Sequence, residues 1–199
     1  MIEEKNVRVN YPSTAFFTMS KKNYLYYVLH QKNVPAPKTV VIASEKAARN
    51  IEKNLELPIL AKKIEEMEQT EENKLETQEE IGNFVDGVEY EEDVIVLHEY
   101  VEGDKYKCLV IEDEVISLKD DSDGWKFDEN SLKYSNPSEN KIEIVKKAAR
   151  NIGAPIAEVV LRGEKVYDVN PNPDLEMYTN QAGKDMYETA AKALKGEEE

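Results

Sequence analysis

Cysteine, histidine and basic charge are all scarce in this chain, and each scarcity sets a limit. One Cys among 199 residues excludes an intramolecular disulfide framework and any Cys-rich zinc or iron–sulfur site, which points to a reducing compartment. His30 and His98 are the two histidines, too few for a His-rich metal centre. No run reaches the roughly 18 apolar residues of a membrane span. The opening MIEEKN lacks the basic-then-apolar order of a signal peptide, so a cytoplasmic location is expected. Lys and Arg number 26 against 41 Asp and Glu, a net charge of −15. That sign is opposite to the basic footprint that nucleic-acid phosphates and anionic membranes select, so neither is expected as a partner.

What is present is enough for one ordinary domain or a two-lobed one, since a chain of this size buries roughly 70% of its unfolded surface. The acidity is concentrated rather than spread. Residues 64–93 hold thirteen acids against the single base Lys74, and Glu197 to Glu199 supply three more, leaving the rest of the chain close to neutral. The acidic segment has few apolar residues, so its composition predicts a solvated helix or a mobile loop.

Val7 to Val9 reads as a short strand. Lys22 to Lys32 places Leu25, Val28 and Leu29 on one helical face, with Asn33 as a left-handed terminator before Pro35 and Pro37. The β-branched run Lys38 to Ala43 and the run Pro58 to Lys62 read as strands, with a helix from Ser44 to about Asn54 between them. Val94 to His98, Tyr106 to Ile111 and Val115 to Leu118 predict one antiparallel unit, turning at Glu112 to Glu114. A helix follows from Ser138 to Gly153, then a hairpin, Ile156 to Leu161 returning as Lys165 to Asn170. A last helix is expected from about Gly183 to Lys195.

The densest chemistry lies in Val166-Tyr-Asp-Val-Asn-Pro-Asn-Pro173. Strand alternation puts Asp168 and Asn170 on one face, where a carboxylate and an amide oxygen can converge on a hard cation. Read alone, such a strand end is also an ordinary turn. Its companions are Lys22, Val34-Pro-Ala-Pro-Lys-Thr39, Pro58-Ile-Leu-Ala-Lys62, Leu97-His-Glu-Tyr-Val-Glu-Gly-Asp104 and Tyr106-Lys-Cys-Leu-Val-Ile111. In that order, over most of the chain from about Asn10, they resemble the ATP-grasp superfamily, most closely the RimK-like carboxylate–amine ligases.

The resemblance implies an α+β ATP-grasp fold, two α/β lobes with antiparallel sheets enclosing a nucleotide cleft. It implies residues 1–20 as a remnant strand and linker, 21–98 as the N-terminal lobe with the acidic segment, and 99–199 as the C-terminal lobe. ATP and Mg²⁺ are the implied cofactors. Lys22 and Lys62 would contact phosphates, the backbone of Glu99, Tyr100 and Val101 would read the adenine edge, and Asp104, or alternatively Lys105, would meet the ribose. Lys107 stands where the family has a phosphate-contacting arginine, keeping the charge without the bidentate fork. Glu158, Asp168 and Asn170 would hold Mg²⁺, Glu158 only if the hairpin register brings it opposite.

Implied partners are small carboxylate and amine substrates, or a protein supplying the substrate domain that precedes this one in the family, with a homo-oligomer also possible in that scheme. Two departures stand out. No glycine follows Lys62 until Gly82, where the family has a glycine-rich phosphate loop. Only Met1 to Asn10 matches the preceding domain. A degenerate binding or regulatory protein, and a small-molecule kinase of the same superfamily, are therefore the competing readings. Cys108 reads as a buried structural thiol, His98 as a strand residue and His30 as a surface one. Trp125, Tyr24, Tyr26 and Tyr27 read as packing residues.

Overall fold

The computed structural model describes Ser13, Ala15 and residues 22–42, 55–65, 68–86 and 93–195. Along them run α1 (Lys22–Gln31), β1 (Thr39–Ile42), β2 (Ile59–Glu65), β3 (Glu68–Leu75), α2 (Gln78–Asp86) and β4 (Asp93–Glu99). Then come β5 (Lys105–Ile111), β6 (Glu114–Asp120), β7 (Leu132–Tyr134), α3 (Glu139–Ile152), β8 (Ile156–Arg162), β9 (Lys165–Asn170), α4 (Leu175–Ala182) and α5 (Met186–Lys195). The expected strand at Val7 to Val9, the helix from Ser44 to Asn54 and the tail Glu197 to Glu199 lie outside the described residues.

The chain divides into two units, residues 37–101 and, together, residues 1–36 and 102–199. The first carries a four-stranded antiparallel sheet in the order β1-β4-β2-β3. One of its faces packs Ile59, Ala61, Leu75, Ile95 and Leu97 against Ile81 and Val85 of α2. The acidic segment thus supplies an edge strand and a helix, where a solvated helix or loop was expected. β3 holds its place by register. Lys62 lies opposite Glu72 and Lys63 opposite Glu71, and opposite charges directly across a pair stabilise it.

The second unit carries a five-stranded antiparallel sheet in the order β7-β6-β5-β8-β9. The expected single antiparallel group of β4, β5 and β6 is therefore split, β4 going to one sheet and β5 with β6 to the other. β5 pairs with β8 instead, Lys107 opposite Val160 and Leu109 opposite Glu158. Leu109, Ile116, Leu118 and Ile156 form one face of the sheet and pack against Tyr178 of α4 and Met186 and Ala190 of α5. Alternation sends Cys108, Val110, Ala157, Val159 and Leu161 to the other face, where they are buried on the side of α3.

Helix α1 belongs to this second unit, not to the lobe from 21 to 98 with which it was grouped. Leu25 and Leu29 are fully buried, and the Tyr26 hydroxyl donates to the Tyr167 carbonyl at 3.0 Å. As expected, Asn33 closes the helix in the left-handed region, φ 52°. Gly153 does the same for α3 at φ 80°, its N–H reaching Ala149 and Arg150 carbonyls. Tyr24 and Tyr27, read as packing residues, are exposed and pack on one another, their rings stacking at 5.7 Å. The C-terminal segment holds two helices rather than one. Asp174 caps α4 by accepting from the Glu176 and Met177 N–H groups, and Gly183 at φ 66° ends it.

Candidate functional site

The larger unit gathers Lys107, Glu158, Asp168 and Asn170 on one face of its sheet. β8 meets β9 with Glu158 directly opposite Asn170 and Val160 opposite Asp168. Directly opposed residues share a face, and so do residues two apart. Glu158 therefore stands beside the two oxygen donors of β9, and Lys107, opposite Val160, joins them from β5.

Glu158 is buried, and its carboxylate accepts a 2.9 Å hydrogen bond from the Tyr178 hydroxyl. Burial pushes the Glu158 carboxyl up. The Lys107 ammonium and the Tyr178 bond pull it down, while the like charges of Asp168 and Glu129 raise it again. Burial, and then Glu158, push the Tyr178 phenol well above its ordinary value, so it stays an O–H donor. Lys107 donates to Glu129 at 2.9 Å. Asn170 accepts from the Asn172 N–H at 2.9 Å, and one Asp168 oxygen accepts from the Val169 N–H at 2.9 Å.

Two carboxylates and an amide oxygen form a hard donor set of the kind Mg²⁺ takes when substrate phosphates complete its shell. Among the described residues no three Asp, Glu, His or Cys side chains converge into an all-protein cage. Cys108 is no candidate: burial pushes its thiol up to about 12, and it behaves as the expected structural thiol.

Asp104 is drawn elsewhere. It pairs with Lys119 at 3.0 Å and with Lys141 at 3.9 Å, and accepts from the Tyr106 hydroxyl at 3.3 Å. The Lys119 bond, before the other contacts, holds its carboxyl below the usual range. Tyr106 and Lys119 lie opposite one another, on the sheet face away from Lys107. A ribose hydroxyl would compete there with two ammonium groups. Lys105, the alternative for the ribose, is ruled out by its surroundings. It is 4% exposed, paired with Asp120 at 2.7 Å, and donates to Ser122 Oγ and the Gly124 and Lys126 carbonyls. Buried Arg162 donates to the Trp125 carbonyl, so two cations pin the segment after β6. The side chain of Lys22 lies outside the described residues, although Lys22 opens α1.

In the smaller unit Lys62 sits on β2, buried, with Glu72 Oε1 at 3.6 Å. Leu60 lies opposite His98, so His98 shares the face of Lys62. Burial, and then the Lys62 ammonium, hold His98 well below its ordinary value, and its Nδ1 lies 3.0 Å from Thr39 Oγ1. The Glu99 and Tyr100 N–H groups donate to the Lys38 and Pro58 carbonyls. Two N–H groups of the backbone stretch expected to read an adenine edge are therefore bonded within the unit. Each carbonyl oxygen of the stretch has a second lone pair. The Lys74 ammonium stands 4.7 Å from the Tyr100 ring centroid.

Sequence reasoning missed Tyr178, Glu129, Asp120 and Arg162. Asp174 directly after Pro173 was the available signal for α4, being a helix cap at a turn exit. The other three are brought in only by sheet register and a long connection.

Two antiparallel sheets with flanking helices, one carrying a buried lysine and the other a carboxylate–amide donor set, define an α+β protein of the ATP-grasp class. The model of the RimK-like ATP-grasp domain matches residues 19–194, and the chain belongs to that family. Solved structures with the same fold include the ATP-grasp ligase PsnB complexed with minimal precursor, Mg and ADP, at TM-score 0.75 and 16% identity over 98% of this chain and 64% of that one. D-alanine–D-alanine ligase from Bacillus anthracis complexed with ATP matches at TM-score 0.65 and 17% identity, over 91% of this chain and 69% of that one. The macrocyclase MdnC bound with precursor peptide MdnA, from Microcystis aeruginosa MRC, matches at TM-score 0.68 and 11% identity, over 93% and 63%. The chain spans 65% and 63% of the first two PsnB structures it matches. No curated protein matches it. Among the described residues no helix is long and apolar enough to cross a membrane.

Proposed function

We propose that the chain binds Mg-ATP and supports ATP-dependent ligation of a carboxylate to an amine. The observation that carries this reading is the β8–β9 register, which sets Glu158 opposite Asn170 with Asp168 on the same face. Those three residues would hold Mg²⁺, which when bound neutralises phosphate charge. Lys107, on the same face, would hold a transferring phosphoryl group by its single ammonium. Lys62, a buried cation whose Glu72 neighbour at 3.6 Å is beyond hydrogen-bond length, would take phosphate oxygens. Lys22 is proposed as a further phosphate contact, and Glu99 to Val101 for the adenine.

In the reaction a substrate carboxylate oxygen attacks the γ-phosphorus of ATP and ADP leaves. The amine nitrogen then attacks the acyl carbon of the acyl phosphate, phosphate departs, and the nitrogen gives up a proton. The chain's part is positioning and charge neutralisation. The carboxylate and amine, whether small molecules or groups on a peptide, reach it as substrates or with a partner protein.

Calorimetry with Mg-ATP tests the binding. Lys62→Ala and Asp168→Ala should each weaken it by about 10- to 100-fold, the scale of a lost charge-assisted contact. Unchanged affinity in both would end the proposal. ADP release on adding amino-acid or peptide carboxylates with an amine tests the chemistry. One observation favours a second reading. Lys62 runs on into an acidic strand with Glu72 at its side, where the family has a glycine-rich loop, as expected of a chain that binds nucleotide without turning it over. Nucleotide binding with no ADP release would select that reading.

A further inference from the structure

We propose that Tyr178 is a positioning residue that holds the Glu158 carboxylate ready for Mg²⁺. The inference rests on the reading of Glu158, Asp168 and Asn170 as the metal-holding set. Tyr178 is fully buried among Leu109, Ile116, Ile156 and Met186, where a phenylalanine would fill the same space. Its hydroxyl is spent on one contact, the 2.9 Å bond to Glu158 Oε2. A glutamate has three side-chain torsions. Fixing one carboxylate oxygen removes most of that freedom before a ligand arrives, as partners behind metal ligands generally do.

The chain connection makes Tyr178 a continuation of the donor strand. β9 ends at Asn170, whose side chain both accepts from the Asn172 N–H and donates to the Asn172 carbonyl. Two residues on, Asp174 caps α4, and Tyr178 lies one helical turn beyond the cap. Asp168, Asn170 and the group that orients Glu158 therefore ride on one short, internally bonded stretch. The carboxylate from β8 is fixed to the same stretch as the oxygens it must join.

The test is ADP binding by calorimetry with and without Mg²⁺, on the full chain. Tyr178→Phe should lose roughly tenfold or more of the Mg²⁺-dependent gain in affinity, with Mg²⁺-free ADP affinity unchanged. Met186→Ala, which thins the same apolar cluster, should lower the thermal midpoint and keep the Mg²⁺ dependence. The inference is overturned if Tyr178→Phe keeps the wild-type Mg²⁺ dependence, or if Met186→Ala loses it equally, which would make the tyrosine a packing residue. Glu158→Gln separates the two levels. Wild-type Mg²⁺ dependence in that variant removes the metal reading itself. Its loss there, with Tyr178→Phe unaffected, removes only the positioning role. A wild-type chain whose ADP affinity ignores Mg²⁺ removes both.

Discussion

Lys105 in the larger unit and Lys62 in the smaller one are both buried lysines on central strands, yet their ammonium groups are spent very differently. Lys105 has a fully buried carboxylate, Asp120, at 2.7 Å, together with Ser122 Oγ and two backbone carbonyls at 2.6 to 2.9 Å. Among the described residues Lys62 has a single ion-pair neighbour, Glu72, at 3.6 Å. An ammonium has three donors and no acceptor. One whose donors are saturated is a structural pin, and here it holds the segment after β6 in place. One that is buried with donors to spare is incomplete until an anion arrives. Burial alone would have ranked the two equally as site candidates; partner geometry separates them.

Breaking the saturated pair should have the largest effect. Asp120→Ala leaves the Lys105 charge buried without its partner, which costs about 3–5 kcal/mol. Urea unfolding should show the loss, and hydrogen exchange should find it in β5, β6 and residues 121–131. A loss under about 1 kcal/mol would mean that the carbonyls alone suffice.

Acid should sharpen the contrast by undoing the two units at different pH. Burial pushes His98 well below its ordinary value, so the unfolded chain binds the proton first. Stability of the smaller unit is then full above about pH 6.5 and falls by about 1.4 kcal/mol per unit as pH drops further. His98→Phe should abolish that slope.

Asp120 behaves differently. Burial raises its carboxyl, but the bonds from Lys105, the Asp128 N–H and Ser122 outweigh burial and bring it to about 2. Its contribution, about 2 kcal/mol, is intact above about pH 3.9 and lost as pH falls from there towards 2. Hydrogen exchange at pH 5 should find β2 and β4 loosened while β5 and β8 remain protected.

The smallest structural effect belongs to Glu72→Gln, under about 1 kcal/mol for a partly exposed pair. The same change removes the charge that competes for Lys62, so Mg-ATP affinity should rise a few-fold. A fall would show Glu72 to be part of the binding surface.

Much of this was legible in the residues. The β-branched runs of β1, β2, β4 and β8 announce themselves, Asn33 and Gly153 mark helix ends, and the ordered motifs point to the right family. β3 was not legible, because Glu-Gln-Thr-Glu-Glu-Asn-Lys-Leu has no apolar alternation of its own and becomes a strand through the lysines of β2 opposite. α4 hid behind two prolines that read as a loop. Glu158 was conditional because a register shift of one residue would turn it to the other face. The Lys105–Asp120 pin was invisible because β5 and β6 reveal which residues face each other only once paired. The grouping of α1 turned on Tyr26 and Tyr167, a contact between distant residues that no local pattern encodes.

Strand β3 stands at the edge of its sheet, and an edge offers a row of backbone groups on which another chain can build. Glu71 and Glu72 make that row hostile to a second copy, since two such edges brought together would oppose carboxylate to carboxylate. The charge concentrated here thus guards against self-templating. Replacing these glutamates with threonine or valine would leave an edge prone to strand addition and aggregation.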